Sequence, residues 1–197
     1  MDARRQIVET YTRLAANATA QPTLHDVAEA AGVTLESIRA EFQSPDEVVL
    51  LGLEEMLWMI RGSNMPRRLD EGIRPTSAAR AICDDILGQV DSNRTIALVA
   101  VRFHRLITMD AIGSAIHHRC AAYFAAAPDF RKMDQAFLGT ANVYVAQGLA
   151  GVVVSWVAGE ISPDQSEVAA HMAELLPSWL SDPRTIADAR RSGEEGS

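Results

Sequence analysis

Three helix-start signals and one glycine turn fall within the 25 residues from Thr23 to Glu47, and that spacing leaves few folds open. Leu24, Val27, Ala28 and Ala31 recur at i, i+3, i+4 and i+7, the apolar face of a helix of about two turns. Thr23 stands before them as N-cap, with Asp26 at the capping-box position. Gly32 takes a left-handed backbone at little cost, so the chain can reverse there. Thr34 caps the next helix, whose Leu35, Ile38 and Phe42 face the same core. Ser44-Pro45-Asp46-Glu47 is the third start, with Pro at the first helical position and Glu at the box position. Two short helices across a tight turn, with a third beginning at once, describe a helix-turn-helix. That geometry lets the second helix lie in the DNA major groove.

A first helix is predicted from about Ala3 to Asn17, with Ile7, Tyr11, Leu14, Ala15 and Ala18 inward. The residues Ala31-Gly32-Val33-Thr34, Ser37-Ile38, Phe42 and Ser44, preceded by Thr23 and Asp26-Val27-Ala28, resemble the DNA-binding headpiece of TetR-type transcriptional regulators. Arg5, Ile7 and Leu14-Ala15 are similar to that family's first helix. The motif spans roughly the first quarter of the chain; the remainder is similar in layout. Three positions depart from the pattern: Arg39 stands where Tyr is usual, Glu41 where His or Tyr is usual, and Pro45 where Lys is usual. A guanidinium binds phosphate well, so Arg39 can replace the Tyr, whereas Pro45 is silent toward DNA.

The resemblance implies a homodimeric, all-α regulator of about nine helices, acting as a repressor that a small, hydrophobic effector releases from a palindromic operator in double-stranded DNA. Its expected domains are a headpiece at 1–48, a ligand-binding and dimerisation domain at 49–181, and a disordered tail at 182–197. Expected DNA contacts are Arg4, Arg5, Thr23, Thr34, Glu36, Ser37 and Arg39, the glutamate as an acceptor for cytosine N4. The alternative is a protein of the same fold that has lost operator binding and serves as a ligand- or protein-binding module. Charge motivates it: residues 1–48 carry four arginines against eight carboxylates, a net of −4, where a DNA-binding face is normally basic.

With 197 residues, 48% of them hydrophobic, the chain can bury one good core and carry a small satellite. Its net charge of −8, two cysteines without CxxC spacing, and an N-terminus lacking an apolar signal core predict a cytoplasmic protein with reduced thiols. A fourth helix is expected from Pro45 to about Gly62, a loop over 61–75, and helices over Thr76–Val90, Asn93–Thr108 and Asp110–Ala126.

From Gln135 to Gly159 there are 25 residues without a charge, long enough to span a bilayer. Asn142, Gln147, Thr140 and four glycines dilute the run, and no basic flank orients it. A helix apolar nearly all round is then one buried on several sides, one face on its own domain and one on a second subunit. Ser162-Pro163-Asp164-Gln165 starts a further helix with Val168, Met172, Leu175, Leu176 and Trp179 on one stripe, completing an antiparallel hairpin. Two copies make a four-helix interface, as in the resembled family. Gly148, Gly151, Val152, Trp156, Met172, Leu176 and Trp179 are its expected contacts.

His117, His118 and Cys120 fan round a helix axis and so are not expected to hold a metal. No Gly-rich phosphate loop, GxSxG or HExxH is present, so no catalytic residue, cofactor or metal is expected. An effector cavity is expected among the middle helices, lined by Phe103, Ile107, Tyr123, Phe137 and Tyr144, with His104, His117 and Asn142 as polar anchors.

Overall fold

The computed structural model describes residues 3–62, 75–126, 128–161 and 164–181, and among them every regular element is helical. The expected loop over 61–75 falls mostly outside these residues, and the expected tail at 182–197 falls wholly outside them.

Helix α1 spans Ala3–Asn17, α2 Leu24–Ala31 and α3 Leu35–Glu41. The Thr23 hydroxyl accepts from the Asp26 amide (3.2 Å), while the Asp26 carboxylate accepts from the Thr23 amide (2.7 Å) and hydroxyl (2.8 Å). Gly32 ends α2 at φ 68°, ψ 31°, and Val33 N–H donates back to the Ala28 carbonyl (3.1 Å). This left-handed step sets the angle between α2 and α3. Thr34 then caps α3, accepting from the Ser37 amide (3.1 Å). Tyr11, Val27, Ile38 and Phe42 close the small core between these helices. Full burial of Ile38 or Phe42 stabilises this headpiece by about 1.5–3 kcal/mol each.

Helix α4, Pro45–Arg61, passes from headpiece to body, so the 48/49 boundary lies inside a continuous helix. Gly52 lets it approach α1 and the body at once: a Cβ there would meet Val8 Cγ1 at 2.9 Å and Ile96 Cδ1 at 3.1 Å. The buried apolar residues of headpiece and body form one cluster, from Ile7 to Met172.

The body comprises α5 (Pro75–Ser92), α6 (Arg94–Ala126), a 3₁₀ turn at Phe130–Lys132, α7 (Gln135–Val157), α8 (Gln165–Leu175) and a short α9 (Ser178–Ser181). The two helices expected over 93–108 and 110–126 run together across a kink, and the break between them does not fall at Asp110. Asp110 stays exposed inside α6, and neither a proline nor a flanking glycine interrupts the ladder there. The deviation comes earlier, at His104, whose φ −136° and ψ 36° are non-helical. Thr108 donates its hydroxyl to the His104 carbonyl (2.9 Å), a side-chain bond of the kind that bends helices.

Helix α8 starts later than Ser162 would place it: Asp164 is the N-cap, accepting from Glu167 N–H (2.8 Å). It also ends sooner. Pro177 cannot continue the ladder, so Leu176 turns extended and Trp179 belongs to α9, off the α8 stripe. There Trp179 joins Phe124, Phe130 and Phe137, its ring 5.3 Å from that of Phe137. These rings and Tyr123 form a second core under the C-terminal end of α6. The uncharged α7 is long and apolar enough to cross a membrane, yet half of its most apolar stretch is buried in the fold, as a core helix requires.

Candidate nucleic-acid interface

Helix α3 presents one face to the headpiece core through Ile38 and the opposite face to solvent. Glu36, Ser37 and Arg39 are exposed on it, with Thr34 at its start and Val33 beside it. Thr34 and Ser37 share a hydroxyl bond (2.9 Å), which leaves one lone pair or proton of the pair for an outside partner. Arg39 extends from an exposed position near the last turn of α3.

Two expected contacts have other duties. The Thr23 hydroxyl is used both as donor and as acceptor within the capping box, so it holds α2 rather than offering itself to phosphate. Arg4 lies 3.5 Å from the Glu41 carboxylate and its guanidinium sits 5.4 Å over the Phe42 ring, tying α1 to the end of α3. Arg5 pairs with Glu9 at 3.4 Å, but both are largely exposed, and such a pair is readily exchanged for a phosphate.

The same bonds account for the acidic headpiece. Glu9 and Glu41 pair with arginines, Asp26 caps α2, and Glu47 accepts from Gln43 N–H (2.7 Å) at the start of α4. Hydrogen bonds from Thr23 hold the Asp26 carboxyl below its ordinary range. Asp46 turns inward to His104. The net charge is negative, but most of these carboxylates serve the fold, and on the solvent face of α3 Glu36 is the one that no partner engages among the described residues.

Behind the headpiece lies its attachment to the body. His104 is 5% exposed; its Nε2 bonds the Tyr11 hydroxyl (2.8 Å) and its Nδ1 bonds the Asp46 carboxylate. One imidazole thus joins α1, the start of α4 and the bend of α6. Burial and the nearby Asp46 push the Tyr11 phenol up to about 12. His104 is thus engaged at the junction of head and body, apart from an interior cavity.

This interior cavity lies deeper, walled by Ile82, Arg119, Cys120, Tyr123, Val145, Leu149, Leu176 and Leu180. Its volume is about 20 Å³, room for a single water. Of the expected lining residues it includes Tyr123, whose hydroxyl donates to the Leu180 carbonyl (3.0 Å). Phe103 stacks under Arg102, and Ile107 is half-buried farther along α6. Phe137 packs on Trp179, and Asn142 donates to the His117 carbonyl (3.2 Å). Tyr144 is 74% exposed, on the opposite side of α7. Arg119 escaped sequence reasoning, although Ile112, Ile116, Arg119 and Tyr123 follow each other at helical steps of four, three and four. An arginine on an apolar stripe was the available signal. His118 bonds the Ser114 carbonyl (2.7 Å) while His117 meets Asn142 and Cys120 faces the cavity, so the three side chains diverge.

On α7 the expected subunit contacts divide. Gly148 and Gly151 have open space where a Cβ would stand, and Val152 is half-buried beside them. Val143 and Tyr144 continue that face, and Leu175 of α8 is also highly exposed. Trp156 and Met172 instead fill the chain's own core, each at most 2% exposed, with Arg94 stacked 4.7 Å over the Trp156 ring. Leu176 walls the cavity and Trp179 sits in the aromatic cluster, both partly buried by the chain itself.

No family model and no curated protein matches the chain. Solved structures do. The fatty acid degradation regulator FadR from Bacillus halodurans superposes with a TM-score of 0.59 at 17% identity, over 89% of this chain and 95% of that one. A TetR transcriptional regulator from Rhodococcus sp. RHA1 gives 0.51 at 20% identity, over 88% of this chain and 94% of that one. The likeness runs through headpiece and body alike.

Proposed function

From the TetR-type all-α fold of this chain, we infer that it is a DNA-binding transcriptional regulator, a dimeric repressor released by a small molecule. The observation that carries the reading is the headpiece: a capped α2, a left-handed glycine turn, and an α3 whose outer face is polar and unobstructed. In this reading Ser37, Arg39 and Thr34 meet base edges and phosphates, with Arg5 and the amide end of α2 on the backbone; their exposure on and beside α3 supports it. The runner-up, a headpiece without operator binding, rests on net acidity and on Pro45 where Lys is usual, and the internal ion pairs and caps supply another reason for most of those carboxylates.

Two copies would join through the open face of α7, each presenting one α3. They would engage successive major grooves about 34–36 Å apart, on a palindromic site. Each head alone binds weakly, so a small change in their separation releases both. The test is fluorescence anisotropy of the purified protein with duplex DNA from upstream of its own coding region, over a salt series. Tight binding whose log affinity falls steeply with log salt supports the reading. If neither that DNA nor a random-sequence selection yields a bound duplex from a folded dimer, the reading fails.

A further inference from the structure

Resting on the reading of residues 1–48 as a DNA-binding head, we propose that His104 is a positioning residue: it fixes the angle of the head on the body, and with it the half-site spacing that two joined heads accept. The imidazole is 1% exposed, and its two nitrogens serve two different helices. A carboxylate only accepts, so Nδ1 carries the proton and donates to Asp46, in the first turn of α4. Nε2 is then the acceptor, and the Tyr11 hydroxyl of α1 donates to it (2.8 Å). Tyr11 is itself wholly buried, so its hydroxyl has no water to turn to. Three helices thus meet in one directed chain of hydrogen bonds, at the residue where α6 departs from helical geometry.

The rest of the attachment is narrow. Two adjoining grooves, of about 850 and 540 Å³, run between α1 and the start of α6 and share Ala16 and Thr95, so α1 meets the body at few points. One of these points is apolar: Val8 and Ile96 close over Gly52, where a Cβ would stand 2.9 and 3.1 Å from them. Helix α4 passes through head and body alike, so the freedom left to the head is to roll about that helix. Apolar contact resists separation but is non-directional, so it does not stop a roll. Hydrogen bonds weaken steeply as they bend, and the two at His104 do stop it.

The angle matters because a dimer repeats it, once in each copy. One inserted base pair moves two half-sites about 3.4 Å apart and turns one of them by roughly 35°. A head held at one angle cannot follow that step, whereas a head free to roll can. His104 therefore selects among palindromes that carry the same half-sites at different spacings.

The test takes two readouts on the full-length protein. Spin labels at Gln43→Cys in the head and Ser92→Cys at the end of α5, both exposed positions, report the head-to-body distance by double electron–electron resonance, with labelled chains diluted into unlabelled ones. The parent protein is expected to give one narrow distribution. His104→Leu is expected to broaden it with the helical signal retained. Tyr11→Phe removes a single hydroxyl from the same chain of bonds, is expected to do likewise, and decides the matter if His104→Leu does not fold. For the second readout, the palindrome recovered by random-sequence selection is rebuilt with one base pair added to or removed from its centre. The parent should lose about 10-fold or more in affinity on either change and the variants less than about 3-fold, with binding of a lone half-site the same in all. General destabilisation does not give that pattern, since it weakens half-site and palindrome alike. A distance distribution left narrow in the variants overturns the proposal, and so does spacing discrimination that survives in them. If no duplex is bound at all, the distances alone decide: broadening keeps the role of His104 in seating the head, while the DNA reading fails.

Discussion

Tyr11 shows how much one side chain carries in this protein. Its phenol is wholly buried, bonded to His104, and held neutral by burial and by Asp46. Its pKa in the folded state, about 12, lies above the ordinary value of 10, so the folded state holds the proton more tightly. The stabilisation is therefore complete below pH 10 and is lost as pH rises toward 12. In urea titrations at pH 9, 10, 11 and 12, the wild type should lose stability across the upper interval while Tyr11→Phe stays flat by comparison. The cysteines follow the same logic, Cys83 at about 12 and Cys120 at about 11: in the native state both should resist iodoacetamide at pH 8 and label fully in denaturant. For DNA, Arg39→Ala should weaken binding to every sequence and reduce the salt slope by about 1, read by anisotropy. Unchanged affinity would remove Arg39 from the interface.

At the scale of elements, the turn at Gly32 and the open face of α7 are the two features on which most depends. Gly32→Val places a branched side chain at φ 68° and should cost about 1–2 kcal/mol or more of unfolding free energy, although the space around a Cβ there is open. Tyr144→Glu or Gly148→Arg puts a charge on the exposed face of α7 and should shift the protein from dimer to monomer in light scattering, with the helical signal retained. The headpiece was legible in the chain because caps, glycine and apolar period act within a few residues of each other. The starts of α2, α3 and α4 and the end of α2 follow from Thr23, Gly32, Thr34 and Ser44 alone. The body was less so. Helix α7 is apolar on nearly every side, so periodicity could not say that Trp156 faces inward and Tyr144 outward. The bend at His104 has no proline or glycine to announce it, and beside the local Thr108 bond the partners of His104 are Tyr11 and Asp46, which are 93 and 58 residues away. Arg119 was overlooked because a charge inside a core is the exception, and what permits it is Asp85, on another helix.

Across the whole molecule, head and body share one apolar cluster and one continuous helix, α4. That continuity has a consequence for unfolding: head and body should melt in one cooperative transition whose calorimetric and van't Hoff enthalpies agree, and two separate transitions would show that α4 does not couple them.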